Sequence, residues 1–440
     1  MTTSLTQRDR QVIWHPYTQH KGFLPPIPVV KGKGSLLFDD EGNAYIDAIS
    51  SWWVNIHGHA HPYIAEKLYQ QALRLEHVIF TGFTHEPAVA LAERLLPLLP
   101  GDFSRVFYSD NGSTAVEVAI KMAIQYWSNQ ADTGPSASGA LRARPGGRNK
   151  VLAFHHSYHG DTFGAMSVSE RSVFTDAFRE YLFEPVFIDT PSLENLDELL
   201  SFLRLRGKEF AGIIYEPLLQ GAGGMRMYDA ASLDRFLSAA AGQGILCIAD
   251  EVLTGFGRTG KLFAGEYLQH KADIICLSKG LTGGTMALGV TATTERIFEA
   301  FLSDDKRKTL FHGHSFTANP LACTAALASL DLLEEGRRGI SYISGRHARF
   351  LETLPSYPIV RNARALGTIL AFEINTGRDE YINAIAPVIT RDALAAGIYL
   401  RPLGSTVYFM PPYCITEKEM DQVYDFLVHC LVQYAEQPVT

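Results

Sequence analysis

At 440 residues, with 46% hydrophobic and 20% charged side chains, the chain is long enough for two or three folded domains and too apolar to be disordered. A formal net charge of -8 argues against nucleic acid as the main partner. The opening "MTTSLTQRDR" lacks the apolar centre of a secretory signal, and no uncharged apolar run is long enough to span a bilayer. The five cysteines (Cys247, Cys276, Cys323, Cys414, Cys430) never stand as Cys-x-x-Cys. Reduced thiols in a cytoplasmic protein are the expectation.

In chain order, residues 35–48, "SLLFDDEGNAYIDA", read as a hairpin turning at residues 40–43. Five apolar runs follow: "RVFYS" from Arg105, "VLAFH" from Val151, "AGIIYEP" from Ala211, "GILCIADEV" from Gly244 and "ADIICLSKG" from Ala272. Runs this apolar, with helical patterns between them, predict strands buried on both faces of a largely parallel α/β sheet. Residues 128–150, rich in Gly, Ser, Ala and Arg, read as a mobile surface loop. Beyond about residue 330 come a long helix, the strand "GTILAFEI", a helix at residues 390–396, "IYLRPLGSTVYFMPPY" and a last helix. The expected division is a large α/β domain over 61–329 and a small α+β domain formed by 1–60 with 330–440.

Ligands of open α/β sheets bind beyond the carboxyl ends of the strands. Glu216, Asp250 and Lys279 each follow an apolar run at such an end. One acid there is ordinarily a cap or turn residue, but three polar residues at successive ends are harder to explain that way. A lysine in an apolar setting, its pKa lowered by desolvation, is a good nucleophile toward carbonyls. A buried aspartate can keep a pyridine nitrogen protonated. Together Asp250 and Lys279 point to pyridoxal phosphate.

Such a cofactor needs an anion site, and "YSDNGSTAVEVAIKMAIQYW" offers Gly112 and Ser113 at the start of a helix. Within it Thr114 and Glu117 have capping-box spacing, and Glu117 and Lys121 have i,i+4 spacing. Tyr158 and His159 lie just past another strand end, where an aromatic could cover the ring or simply pack in the core.

Two competing patterns point elsewhere. "GFGRTG" at residues 255–260 matches G-x-G-x-x-G, with Asp273 near the acid position of a nicotinamide site, yet the stretch to the next strand is too short and polar for a crossover helix. "HGHAH", "HHSYH" and "HGH" contain histidines that could bind a metal, which would make a hydrolase, but no H-E-x-x-H or finger spacing occurs and Lys279 is left unexplained.

From "IWHPYTQ" at Ile13 to "YFMPPY" at Tyr408, the chain resembles the class III aminotransferases, a branch of the fold-type I pyridoxal-phosphate transferases. "IADEVLTGFGRTGKLFA", "LSKGLTGG" and "HSFTANPLACTAALA" are marks of the whole class. "WHPYTQ", "SSWWVNIHGHAHP", "QGAGGMRMY" and "YLRPLGSTVYFMPPY" resemble the narrower group that aminates 8-amino-7-oxononanoate in biotin biosynthesis. The resemblance implies that Lys279 carries the cofactor, Asp250 pairs with its ring nitrogen and Tyr158 stacks on the ring. Gly112 and Ser113 would hold the phosphate, with His159 and Glu216 also at the cofactor. It further implies a homodimer with shared sites, in which Ser315 reaches the partner's phosphate; the preceding His314 departs from some relatives.

For substrate the resemblance implies Tyr17, Trp52, Trp53, Arg258, Arg401 and Tyr408, with Arg401 on the acceptor's carboxylate. If Trp52 and Trp53 lie on a strand, alternation lets only one face the site; a loop could present both. S-adenosylmethionine is the implied donor, with lysine used by some relatives. Another ω-aminotransferase, or an aminomutase of the glutamate-semialdehyde type, would keep the same lysine and aspartate.

Overall fold

The computed structural model describes residues 4–22, 25–130, 147–375 and 385–436. After a first helix, Leu5–Val12, come β1 (Val29–Lys33), β2 (Leu36–Asp39) and β3 (Ala44–Asp47). The β2–β3 hairpin turns where the sequence indicates, because the Asp39 carboxylate accepts from the backbone N–H groups of Glu41 (3.1 Å) and Asn43 (2.8 Å). An aspartate bonded to the backbone ahead of it imitates a turn.

The central sheet is built from β4 (Phe103–Ser109), β5 (Lys150–Phe154), β6 (Val186–Ile188) and β7 (Phe210–Tyr215). A two-residue ribbon, β8 (Leu219–Gln220) and β9 (Arg226–Met227), precedes β10 (Leu246–Asp250), β11 (Ile274–Leu277) and β12 (Gly289–Thr294). The seven strands lie in the order β4-β12-β11-β10-β7-β5-β6. Only β12 runs against its neighbours, pairing antiparallel with β11 and β4.

Every residue of β7, β10 and β11 is buried, so contiguous apolar side chains pack against helices on both faces. On one face the helix Gly112–Gln130 uses small residues, Ala115, Ala119 and Ala123, to settle against Ile214, Ile248 and Ile274. Each isoleucine buried there contributes roughly 1.5–3 kcal/mol. The parallel register pairs Ala249 with Tyr215 and Asp250 with Cys276. It therefore brings Glu216, Asp250 and Lys279 to one edge of the sheet.

The rest of the chain supplies the helix Pro320–Leu351, then β13 (Val360–Leu366), β14 (Ile369–Ile374), the helix Ile385–Ala395, β15 (Ile398–Tyr399), β16 (Thr406–Phe409) and the helix Glu417–Glu436. β13, β14 and β16 form an antiparallel sheet, while β15 joins β3 in parallel, Tyr399 opposite Asp47. The long helix starts earlier than its apolar pattern indicates, at Pro320, because the Asn319 side chain accepts from Ala322 N (3.0 Å) and proline fits a first helical turn. The helix expected at residues 390–396 covers Ile385–Ala395 among the described residues.

Of the segment 128–150, the helix runs through Gln130 and β5 starts at Lys150; residues 131–146, and so the expected loop, lie outside the described residues. Among the described residues no helix is long and apolar enough to cross a membrane. All five cysteines are free thiols.

Candidate active site

The three strand-end residues line one cavity of about 680 Å³, together with Gly112, Ser113 and Tyr158. Lys279 lies just past β11, after Ser278, and has a positive φ of 43°, a conformation that costs a non-glycine residue about 1–3 kcal/mol and is typical of functional sites. Its Nζ lies 4.5 Å from the centre of the Trp53 ring. Burial lowers the amine's pKa to about 8, although Asp250 and Glu216 pull it upward.

That shift has a chemical consequence. With the cofactor removed, Lys279 should be acylated or reductively methylated ahead of the surface lysines, with a midpoint near pH 8. Peptide mapping after brief labelling across a pH series checks this. A midpoint near 10.5 would contradict the desolvated site.

Asp250 Oδ2 lies 2.7 Å from His159 Nδ1, and its Oδ1 accepts from Val252 N at 3.1 Å. Both side chains are nearly inaccessible to solvent. Glu216 is used differently: its oxygens accept from Tyr158 N (3.1 Å) and Gly221 N (2.8 Å), so it holds backbone around the cavity. Burial raises its pKa to about 7, opposed by His159.

At the other end of the cavity the helix Gly112–Gln130 presents its N-terminus. Its cap differs from the spacing argument: the Asn111 side chain accepts from Thr114 N (2.9 Å) and Thr114 Oγ1 accepts from Asn111 N (3.1 Å). Glu117 instead takes the N–H groups of Gly164 and Ala165, and Lys121 reaches His312 Nδ1 at 3.1 Å, so neither the Thr114–Glu117 box nor the Glu117–Lys121 pair forms. The shorter Asn111–Thr114 reach satisfies the helix end first. Ser113 Oγ accepts from Thr162 N at 3.0 Å. A Cβ on Gly160 would fall 2.3 Å from that Ser113 oxygen, which explains glycine there.

On the substrate side the strand reading of the tryptophan pair gives way to a left-handed turn. Ser50, Ser51, Trp52 and Trp53 all have positive φ (52°, 45°, 71° and 76°). Left-handed helical backbone costs non-glycine residues roughly 1–2 kcal/mol each, so the surroundings must impose it. Strand alternation therefore does not apply. Trp53 is buried at the cavity wall, donating from Nε1 to the Tyr408 hydroxyl at 2.9 Å. Trp52 is exposed, with the Arg401 guanidinium 4.8 Å from its ring centre.

Tyr17 stands edge-on to Trp52, 5.6 Å between ring centres; its hydroxyl lies 3.2 Å from that of Tyr158 and donates to Asp161. Asp161 was not singled out from sequence. Its one signal is its position two residues past His159 in a glycine-flanked loop.

Six expected residues do not line the cavity: Tyr17, Trp52 and Arg401, placed as above, and Arg258, Tyr408 and Ser315. Arg258 is 1% exposed and donates to the carbonyls of Pro411 (2.9 Å), Trp53 (3.2 Å) and Asn55 (3.3 Å), so it braces the wall from behind. Tyr408 sits behind Trp53. Ser315 is exposed elsewhere on the chain.

The glycine and histidine patterns have other uses in the fold. Residues 255–260 form consecutive turns that open no helix. Among the described residues no group of histidine, cysteine, aspartate and glutamate could hold a metal. His59 pairs with Asp47, His155 and His156 pair with Glu170, and His57 bonds Ser329 at 2.9 Å, with burial pushing its pKa down to about 4.

A desolvated lysine, a buried carboxylate with its histidine and a helix N-terminus around one cavity at a sheet's carboxyl edge define the class of pyridoxal-phosphate lysine enzymes. The His159 Nε2 is buried without a partner among the described residues, consistent with a polar group belonging beside it. The family description "Aminotransferase class-III" matches residues 17–431. An adenosylmethionine-8-amino-7-oxononanoate aminotransferase of Synechococcus elongatus is 45% identical over 94% of this chain and 96% of its own. The protein of that name from Geobacter sulfurreducens is 38% identical over 97% of each. A crystal structure of that enzyme from Methanocaldococcus jannaschii superposes with a TM-score of 0.89 at 34% identity, covering 98% of both chains.

The chain belongs to the class III aminotransferase family. It is a pyridoxal-phosphate-dependent aminotransferase with the fold-type I architecture.

Proposed function

We propose that the chain transfers an amino group to 8-amino-7-oxononanoate, giving 7,8-diaminononanoate for biotin biosynthesis, with S-adenosylmethionine as donor. The relatives above carry that activity in their names. The observation that carries the reading is the Trp52–Arg401 pair beside the Trp53 wall: an aromatic surface ending in a guanidinium suits an aliphatic chain ending in a carboxylate. A sulfonium donor suits the same aromatic faces, Tyr17 and Trp52, by cation–π attraction.

Bound pyridoxal phosphate supplies an electron sink for the pair released at the substrate's Cα. Gly112 and Ser113 would hold its phosphate at the helix N-terminus, and Tyr158 would cover its ring. Asp250, oriented by His159, keeps the ring nitrogen protonated. Lys279 would anchor the cofactor and, as a free amine, would take the proton from the donor's Cα. In the second half-reaction Lys279 returns a proton to C7 of the acceptor. Burial, which lowers the amine's pKa, favours the neutral form that the first task needs. Glu216 and Arg258 act through the backbone they hold.

The reading includes a cytoplasmic homodimer, with Ser315 of each chain completing the other's phosphate site, and the two-domain division given above. Tyr408 positions Trp53.

Arg401→Ala tests the substrate assignment. Loss of a charge-assisted pair should raise the acceptor KM about 10- to 100-fold while kcat and the resting absorption spectrum change little. An acceptor KM equal to the parent's removes Arg401 from the carboxylate.

A further inference from the structure

We propose that Asp47, at the end of β3, is a positioning residue for the aromatic walls of the active site. Its carboxylate holds residues 50–53 in the left-handed turn that aims Trp53 at Lys279 and Trp52 at Arg401. The proposal rests on the aminotransferase site described above.

The Asp47 side chain is fully buried. Its Oδ1 accepts from Ser51 N at 2.9 Å and Ile49 N at 3.3 Å. Its Oδ2 accepts from Ser51 Oγ at 2.7 Å and lies 2.9 Å from His59 Nε2. Two of these four bonds therefore grip Ser51, in the middle of the strained backbone.

The histidine is itself oriented. Asn55 Oδ1 accepts from Gly58 N at 2.7 Å, which turns the Asn55 amide so that Nδ2 donates to His59 Nδ1 at 3.1 Å. With Nδ1 accepting, the proton sits on Nε2 and points at Asp47. The chain Gly58–Asn55–His59–Asp47–Ser51 is thus satisfied link by link. Such a network can impose a conformation that the local sequence disfavours.

Asp47 also stands where both walls originate. It pairs in register with Tyr399, two residues before Arg401, while Ala48 O accepts from Met410 N at 2.9 Å. Ser50 Oγ donates to Met410 O at 2.8 Å. The carboxylate thus holds the tryptophan turn beside the segment whose backbone and Ser50 hydroxyl join the strands that deliver Arg401 and Tyr408. It touches neither the cavity nor a substrate, so its role is carried by Trp52 and Trp53.

The experiment compares holoenzyme of the parent, Asp47→Ala, and Asp47→Ala combined with Ser51→Gly. Acceptor KM, kcat and the tryptophan near-ultraviolet circular dichroism are measured for each. Asp47→Ala should raise acceptor KM about tenfold or more, lower kcat less, and alter the tryptophan signal. Glycine takes positive φ without a Cβ penalty, so Ser51→Gly in that background should recover at least about half of the loss on a logarithmic scale. If Asp47→Ala fails to fold, Ser51→Ala, which removes only the hydroxyl donor, should raise acceptor KM about threefold to fivefold.

An acceptor KM and tryptophan signal within about twofold of the parent in whichever variant folds, or no recovery by Ser51→Gly, overturns the proposal. The dichroism does not depend on the acceptor. A parent enzyme inactive on 8-amino-7-oxononanoate would therefore defeat the substrate assignment and leave the Asp47 question to be read from the tryptophan signal and the donor's KM.

Discussion

Lys279→Ala is expected to lower turnover by about 10⁴-fold or more, because it removes both the cofactor's anchor and the group that moves the Cα proton. The fold should persist. Lys279 sits after β11 in a 3-10 turn, its amine faces Trp53, and no backbone bond depends on the side chain. Deleting an amine whose charge is opposed by burial should leave thermal stability equal or slightly raised. Single-turnover kinetics with a thermal melt on the same preparation check both halves. Turnover within tenfold of the parent would mean that another group moves the proton.

Asp250→Asn should be nearly as damaging, lowering kcat by about 10³-fold, since losing the buried carboxylate that keeps the ring nitrogen protonated costs about 4 kcal/mol. The isosteric amide keeps an acceptor for Val252 N while losing the charge beside His159. Glu216→Gln supplies the contrast. Its oxygens face the backbone N–H groups of Tyr158 and Gly221, so the main cost should be stability, with kcat reduced about tenfold or less. Equal losses in kcat for the two variants would show that Asp250 has no special relation to the cofactor.

The sequence was legible where structure is written contiguously. β7, β10 and β11 are buried on both faces, so each appears as an unbroken apolar run, and the polar residue ending each run marks the site. The parallel register that unites Glu216, Asp250 and Lys279 follows from the alternation of strands and helices. The tryptophan turn was not legible. Its conformation is imposed by Asp47, four positions before Ser51, and by Met410, 360 positions after Ser50, and nothing within "SSWW" favours positive φ.

The burial of Arg258 was not legible either: three backbone carbonyls from two distant segments converge on its guanidinium. Asp161 escaped notice because its partner, Tyr17, is 144 positions away. Non-local contacts of this kind leave no periodicity to read.

The most direct test is the visible absorption spectrum of the purified holoenzyme, recorded alone, after S-adenosylmethionine, and again after 8-amino-7-oxononanoate. The enzyme should be yellow, with a band that bleaches on the first addition and returns on the second, as the amino group is taken up and passed on. A yellow enzyme that bleaches with another amine but does not recover its band with 8-amino-7-oxononanoate would contradict the proposed acceptor.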